Sequence, residues 1–160
     1  MTSMATSMPV PEPGTIPADV GKVGDVFEIF GVPLRIRESE PTDRAYIATR
    51  WITSADLEDK RLHGLAVDRL LDSPRSRIVV VCSERVPSTI FAWAVALRDP
   101  CAIHYAYVDA KMRGFGVGRA VIRAVGYNGA TIACTHPWPF ESERYLYDAT
   151  RAGCLLALGG

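Results

Sequence analysis

The sequence predicts an α/β fold of the α+β type, in which a mixed, mostly antiparallel sheet has helices on both faces. Three observations lead to this prediction. The chain has 160 residues, of which 48% are hydrophobic and 22% are charged, as expected for one globular domain. Three runs rich in β-branched and apolar residues follow one another in mid-chain with short turns between them, which favours antiparallel neighbours. Segments with apolar residues at helical spacing precede and follow these runs.

The N-terminal segment, residues 1–22, is predicted to be an arm outside a domain that spans residues 23–160. Four of the eleven prolines fall in the first 20 residues, and this composition does not sustain a helix. Two interpretations remain open for the arm. It is either a flexible leader or an extended segment that docks on a partner or on a second copy of the chain.

The first half of the domain is predicted to hold strands and then helices. Short strands are expected over residues 23–30 and 32–37, the second because Val, Leu and Ile alternate with Pro and Arg. A turn with helix-capping residues follows at Pro41–Asp43. Helices are expected over residues 44–52 and 62–71, where apolar side chains recur at helical spacing.

The second half begins with the three central runs, which are predicted strands over residues 77–83, 89–97 and 102–108. A glycine-rich turn then precedes the remaining elements. These are a helix over residues 117–125, a strand over 130–134, a helix over 141–152 and a strand over 154–158. From the strand over residues 32–37 onward, the predicted order is therefore β-α-α-β-β-β-α-β-α-β, a mixed pattern that places helices against the faces of one sheet.

Charge and cysteine content narrow the function classes. Lys and Arg number 18 and Asp and Glu number 18, so the basic excess of a typical nucleic-acid binder is missing and such a partner is not expected. The four cysteines form no CxxC pair, and no metal site is predicted. Because each cysteine lies in or beside an apolar run, we expect buried, reduced thiols. They are Cys82, Cys101, Cys134 and Cys154.

The sequence also indicates where the protein works. No apolar run approaches the length that spans a bilayer, so no membrane partner is expected. The first 21 residues contain no Lys or Arg and no apolar core, unlike a secretory signal. A cytoplasmic location is expected.

The most informative stretch joins the strand that ends at Val108 to the helix that begins near Val117. Its loop has glycines at alternate positions, which are Gly114, Gly116 and Gly118. Glycine allows the backbone to turn sharply, and the unpaired N–H groups of the first helical turn then point into one concavity. Such a helix start binds an anion, above all a pyrophosphate. Positive charge surrounds it at Arg113, Arg119 and Arg123.

Two nucleotide-binding motifs are excluded for this loop. The spacing is GxGxG, whereas the dinucleotide fingerprint is GxGxxG, and the loop follows antiparallel strands instead of opening a βαβ unit. The Gly-Lys-Ser/Thr ending of a P-loop is also missing from the sequence.

The pattern Arg113-x-x-Gly116-x-Gly118 resembles the coenzyme A signature of the GCN5-related N-acetyltransferase (GNAT) family, Arg/Gln-x-x-Gly-x-Gly/Ala, and matches it at every defined position. The predicted order of elements over residues 32–158 is also that of the family. The segment over residues 43–54, DRAYIATRWITS, together with Cys134-Thr135-His136, is similar to a subgroup of phage-encoded acetyltransferase-like proteins.

The resemblance implies a site for acyl-coenzyme A, most simply acetyl-coenzyme A. Backbone amides of the glycine loop would hold the pyrophosphate, and the pantetheine arm would lie between the strand ending at Val108 and the strand over residues 130–134. A backbone N–H of Tyr107 or Val108 would polarise the thioester carbonyl while an amine attacks it. The implied cofactor-binding residues are Tyr107, Val108, Arg113, Gly114, Phe115, Gly116, Val117, Gly118 and Arg119.

The proton-transfer groups depart from the family pattern. Many members have a Glu on the strand before the signature, where this sequence offers histidine and tyrosines, and many have a Tyr four residues before a Gly, where this sequence has Ala149. The candidate catalytic residues are His104, Tyr107, His136 and Tyr147. Structural interpretations stay open for His104 as a buried histidine with satisfied hydrogen bonds and for Tyr107 as a core aromatic residue.

The function implied by the resemblance is acyl transfer from coenzyme A to an amine acceptor of unknown identity. Acidic residues between the first two predicted helices, Asp56, Glu58 and Asp59, would attract a cationic amine. The alternative is a noncatalytic interaction protein that keeps the fold, for instance a structural or accessory component of a virion. The intact signature favours the enzyme, whereas the missing Glu and the displaced Tyr favour the alternative.

Overall fold

The structure is a computed structural model that describes residues 16–54, 60–98, 102–126, 132–134 and 145–147. Its centre is a seven-stranded sheet in which the strands lie side by side in chain order. Each neighbouring pair among the first five strands is antiparallel, and the last two strands join the sheet in parallel. The sheet is therefore mixed and mostly antiparallel, as the sequence predicts.

The strands, in chain order, are β1 (Val26–Ile29), β2 (Val32–Glu38), β3 (Ser76–Ser83), β4 (Ile90–Leu97), β5 (Ala102–Val108), β6 (Ile132–Cys134) and β7 (Tyr145–Tyr147). The α-helices are α1 (Arg44–Ser54), α2 (Lys60–Asp72) and α3 (Val117–Ala124). Short 3-10 turns over Pro41–Asp43 and Ala110–Met112 precede α1 and the glycine loop. A two-residue turn joins β1 to β2, with positive φ angles at Phe30 and Gly31, as tight hairpins require.

Helices cover both faces of the sheet. On one face, α3 packs against β3, β4 and β5, and alternate strand residues such as Val79, Val81 and Ala94 are fully buried there. On the other face, α1 and α2 cover a second core, which contains Val80, Trp93 and other strand residues whose side chains point to that face. Because strand side chains alternate between faces, an unbroken apolar run such as β3 can fill both cores.

The start of α1 is fixed to β2 by an ion pair with little exposure to water. Arg37 donates two hydrogen bonds to the Asp43 carboxylate, at 2.6 and 3.1 Å, and Asp43 also accepts the Glu40 N–H at 2.7 Å. Burial raises the pKa of Asp43, but the hydrogen bonds from Arg37 and Glu40 outweigh it and leave that pKa below its ordinary value. The pair therefore orients α1 over the sheet.

The described end of the predicted arm lies against the domain of its own chain. Ile16 is 2% exposed and belongs to the core beneath α3, and Val20 packs on the same core. Asp25 accepts the backbone N–H groups of Gly21 and Lys22, at 3.0 and 2.9 Å, and these two bonds hold the pKa of Asp25 below its ordinary value. Residues 1–15 lie outside the described part of the chain, so their role stays a prediction.

Most predicted elements of the described chain appear in place, but one differs. Tyr145–Tyr147 was expected inside a helix over residues 141–152 and is instead the strand β7, which pairs with β6 in parallel. The physical reason is that a Tyr-Leu-Tyr segment suits a pleated sheet, and pairing with a neighbouring strand overrides weak helical periodicity. The rest of that predicted helix and the strand expected over residues 154–158 fall outside the described residues.

Candidate functional site

The sequence-predicted site begins on β5, whose regular pairing with β4 is interrupted. Val95 pairs with Tyr105 and Ala96 with Ile103, so His104 is an extra residue in a β-bulge. His104 is 2% exposed. A catalytic base must reach its substrate, and a buried position in a bulge favours the structural interpretation of this histidine.

Beyond the bulge, aromatic residues of β5 stack on the face covered by α1. Tyr107 lies 6.0 Å from Trp93, measured between ring centroids, and the rings are inclined by 26°. Tyr105 stacks on Trp51 of α1 at 5.4 Å. Tyr107 is half-buried, so it combines a packed ring with a position near the end of the strand.

The backbone of Val108 points away from β4. Asp109 donates its N–H to the Phe91 carbonyl of β4 at 2.7 Å, and successive residues of a strand direct their N–H and C=O groups to opposite edges. The N–H and C=O of Val108 therefore face the edge of β5 on the β6 side. The described part of the β5–β6 ladder contains one pair, Ile103 with Cys134, which lies nearer the other end of β5.

Arg113 connects this strand end to the glycine loop. Its Nε donates a hydrogen bond of 2.9 Å to the Val108 carbonyl, and its guanidinium carbon lies 6.0 Å from the centre of the Tyr107 ring. The loop preceding Arg113 is held by Asp109, whose carboxylate accepts the Lys111 N–H at 3.0 Å. Three predicted site residues, Arg113, Tyr107 and Val108, thus lie together.

Each of the three loop glycines occupies its position for a different structural reason. Gly114 has a φ of 87°, and a Cβ at this position would have no neighbour within 4 Å, so this side of the loop is open. Gly116 has a φ of 91° and caps α3 in the left-handed conformation. Gly118 lies inside α3, where an added Cβ would be 3.4 Å from Val108. The glycines therefore permit a tight turn and bring the helix close to the end of β5.

Positive charge lies at the start of α3. The Arg119 Nη2 atom is 3.2 Å from the position that a Cβ of Gly116 would occupy, so the guanidinium folds back toward the helix N-terminus. The Ala120 N–H bonds to the Gly116 carbonyl, and the three preceding N–H groups have no acceptor within a helix that begins at Val117. An N-terminus with a guanidinium beside it favours an anion.

Two predicted loop residues serve the core, and one predicted cation is used elsewhere. Val117 is 1% exposed and anchors α3, while Phe115 packs edge-on against Phe30 of the hairpin at 5.2 Å. Arg123, expected beside the anion site, donates a hydrogen bond to the Ala18 carbonyl of the N-terminal segment.

Tyr46 of α1, for which the sequence predicts no role in the site, lies near the end of β5. The Tyr46 hydroxyl donates to the Ile90 carbonyl at 3.3 Å. Burial raises the pKa of Tyr46, Arg50 opposes this shift, and Tyr107 and Asp109 reinforce it. A Tyr on the first turn of a predicted helix gave no sequence signal, because its proximity to β5 depends on how α1 crosses the sheet.

Other predictions are outside what the structure describes. His136 and the acidic residues Asp56, Glu58 and Asp59 lie in undescribed segments, and for Tyr147 only the backbone is described, in β7. Cys82 is a free, buried thiol. Among the described residues, no cluster of His, Cys, Asp or Glu could hold a metal ion, and no helix is long and apolar enough to cross a membrane.

No protein-family model matches the sequence, and no curated protein matches it. Solved structures do match. The chain is similar to the aminoglycoside N-acetyltransferase AAC(6')-Iy in complex with CoA, with a TM-score of 0.51 and 14% identity over 84% of this chain and 91% of that one.

Two further structures match a smaller part of this chain. A possible acetyltransferase from Clostridium difficile 630 matches 52% of this chain, with a TM-score of 0.40 and 21% identity. The ribosomal-protein-alanine N-acetyltransferase from Brucella melitensis biovar Abortus 2308 matches 56% of this chain, with a TM-score of 0.42 and 20% identity. The matches span 62% and 66% of those two chains. With its mixed sheet, its helices on both faces and its likeness to AAC(6')-Iy over most of both chains, the protein has the fold of the GNAT acetyltransferases.

Proposed function

We propose that the protein binds acyl-coenzyme A and transfers its acyl group, most simply acetyl, to an amine. The observation that carries the proposal is the connection from β5 to α3. There Arg113 bonds to Val108 at the strand end, and Arg119 folds over Gly116 at the helix start. We propose a cytoplasmic location. If the chain belongs to the phage-encoded subgroup, this location becomes the host cytoplasm or the virion, and the N-terminal arm would dock on a virion partner.

The loop residues fit a pyrophosphate. Its negative charge would meet the N–H groups of the first turn of α3 and the guanidinium groups of Arg113 and Arg119. The open side at Gly114, where no heavy atom beyond its chain neighbours lies within 4 Å of a Cβ position, leaves room for a phosphate to approach the backbone. Tyr107 and Val108 lie where the strand meets this loop, at the end at which the acyl group would be held.

Acyl-coenzyme A supplies an activated thioester. In the reaction a C–N bond forms, the C–S bond breaks, the amine loses a proton and the thiol leaves as free coenzyme A. The Val108 N–H, which faces away from β4, is the better of the two candidate donors to the thioester carbonyl. A fixed donor of this kind contributes about 3 kcal/mol to transition-state stabilisation in other enzymes. Tyr107 is the described candidate for proton transfer to the leaving thiol.

The acceptor is proposed to be a cationic amine that enters between α1 and the end of β5. The acidic segment over residues 56–59 would attract such a group. AAC(6')-Iy is an aminoglycoside N-acetyltransferase, and an aminoglycoside is therefore the first acceptor to test.

The test is release of free thiol from acetyl-coenzyme A in the presence of an aminoglycoside, a polyamine or a peptide with a free α-amino group, with the product mass measured. The proposal predicts thiol release that depends on one acceptor and a product heavier by one acetyl group. Thiol release that is the same without acceptor would contradict amine acylation.

The noncatalytic alternative has one specific observation in its favour. β5, the strand before the signature, carries no carboxylate, and its histidine is 2% exposed. This alternative predicts that acetyl-coenzyme A binds and raises the melting temperature, while no amine in the panel is acetylated.

A further inference from the structure

We propose that residues 16–21, here called the N-terminal clasp, position the glycine loop for the binding of coenzyme A. This inference rests on the proposed function for its ligand, but its structural basis is separate. It assigns a role in the site to Ile16, which lies in the proline-rich N-terminal segment, 98 residues before Gly114 of the glycine loop.

Ile16 contacts the loop through backbone and side chain. Its N–H donates a hydrogen bond of 3.1 Å to the Phe115 carbonyl. Its Cγ1 atom lies 3.2 Å from the position that a Cβ of Gly116 would occupy. The side chain is 2% exposed and belongs to the same core as Val117 and Val121 of α3. Ile16, together with the Arg119 guanidinium, thus fills the side of Gly116 where any other residue would have a side chain.

The clasp is fastened at its other end as well. Arg123 of α3 donates a hydrogen bond to the Ala18 carbonyl. A Cβ on Gly21 would be 2.9 Å from the Arg123 Cβ, so the backbone of the clasp runs directly against the helix. Asp25 then accepts the N–H groups of Gly21 and Lys22. Contacts with the loop, with α3 and with the chain before β1 hold the clasp in one path.

The glycine loop needs such support because its conformation is weakly determined by its own residues. Gly114 and Gly116 both have positive φ angles, and glycine samples many other conformations at little cost. A phosphate can bind only when the N–H groups at the start of α3 face it together. If loss of the clasp reduced this competent population to about a tenth, the apparent Kd would rise about tenfold.

The experiment uses full-length Ile16→Ala and Gly21→Ala, neither of which alters a charge. In each we expect the Kd for acetyl-coenzyme A to rise about tenfold and amide hydrogen exchange over residues 113–120 to accelerate without ligand. If the protein turns over, KM for acetyl-coenzyme A should rise while kcat stays within about twofold. Ile16→Val, which keeps a β-branched side chain of similar shape, should restore binding to near the wild-type Kd.

Matched controls separate positioning from general loss of stability. Ile47→Ala removes an isoleucine that is also fully buried, but in the core on the opposite face of the sheet. Gly64→Ala adds a Cβ in α2 that would make only an ordinary contact with Ile52, at 3.6 Å. Both should leave the Kd within about twofold at a temperature where circular dichroism shows every variant to be folded.

The outcomes distinguish this inference from the proposed function. If wild-type protein fails to bind acetyl-coenzyme A, the proposed function fails, and faster exchange over residues 113–120 in Ile16→Ala and Gly21→Ala, but not in Ile47→Ala, would still support the clasp. If wild-type protein binds and the two clasp variants bind equally well, the clasp does not position the loop. Should Ile16→Ala not fold, Gly21→Ala alone decides the result.

Discussion

Arg113 donates a hydrogen bond of 2.9 Å from Nε to the carbonyl oxygen of Val108, and so joins the first residue of the glycine-rich signature to the last residue of β5. This bond uses the carbonyl of the residue whose N–H faces away from β4. It also lays the guanidinium over Tyr107. The strand end and the loop are therefore held as one unit, and a phosphate in the loop would meet the Nη groups of the same arginine.

Arg113→Ala is expected to weaken binding of acetyl-coenzyme A about 10- to 100-fold, the range for losing a hydrogen bond to a charged group. The affinity of Arg113→Lys for acetyl-coenzyme A should lie between those of the wild type and Arg113→Ala, because lysine keeps the charge but lacks the planar guanidinium. Isothermal titration calorimetry measures both. The control is Arg75→Ala, an exposed arginine just before β3 and at the opposite end of the sheet from the loop. Equal effects at Arg75 and Arg113 would refute the assignment.

Gly116→Ala should destabilise the protein more than Gly114→Ala. The two glycines have nearly equal φ angles, 91° and 87°, so the backbone cost of about 1–2 kcal/mol is shared. Only at Gly116 would the new Cβ also crowd neighbours, which are Ile16 and Arg119, each at 3.2 Å. Urea unfolding measures the difference in the free energy of unfolding. A larger loss for Gly114→Ala would show that the packing around Gly116 is misjudged.

Tyr107→Phe tests proton transfer to the leaving thiol. The ring should keep its stack on Trp93, so melting temperature and the Kd for acetyl-coenzyme A should change little. Loss of a general acid lowers kcat by about 100-fold or more. Tyr105→Phe is the control on the same face of β5 and should leave kcat near that of the wild type. A kcat for Tyr107→Phe equal to that of the control would exclude the hydroxyl as the acid.

Asp43→Asn should destabilise the protein by about 3 kcal/mol at pH 7. The Arg37 side chain is only 14% exposed, and the substitution leaves its charge without an anionic partner. The pKa of Asp43 is lowered in the folded state. Its contribution to stability is therefore present above the unfolded pKa of about 3.9 and is lost as pH falls through the folded pKa.

Urea unfolding of the wild type and of Asp43→Asn between pH 7 and pH 3 checks the sign. The difference in the free energy of unfolding between the wild type and Asp43→Asn should become smaller as the pH falls. A difference that stays constant with pH would contradict the role of the ionised carboxylate. Glu84→Gln removes the partner of Arg35 in an exposed pair, and this control should cost less than about 1 kcal/mol.

The sequence was sufficient to predict the elements whose pattern is local. The β-branched run of β3 and the glycines before α3 mark their elements without help from distant residues. The pairing that makes Tyr145–Tyr147 a strand depends on β6 and was missed. The bulge at His104 was also missed, because the pattern of side chains along β5 does not show that the residue between Ile103 and Tyr105 has no partner on β4.

The candidate site was predictable to the same extent. The signature located Arg113, Gly116 and Gly118, and Arg119 directly follows it in the sequence. Ile16 and Tyr46 reach the same region from elements far away in sequence, so their contacts depend on tertiary packing. A single apolar residue among prolines, such as Ile16, was the available signal that the N-terminal segment is in part buried.

Recognition of coenzyme A is tested most directly by titrating the protein with acetyl-coenzyme A and, separately, with acetyl-pantetheine, which keeps the thioester but lacks the pyrophosphate and the phosphoadenosine joined to it. We expect acetyl-coenzyme A to bind and acetyl-pantetheine to bind at least about 100-fold more weakly, because the loop and its two arginines recognise the phosphates. Equal affinity for the two compounds, or no binding of acetyl-coenzyme A at millimolar concentration, would contradict this expectation.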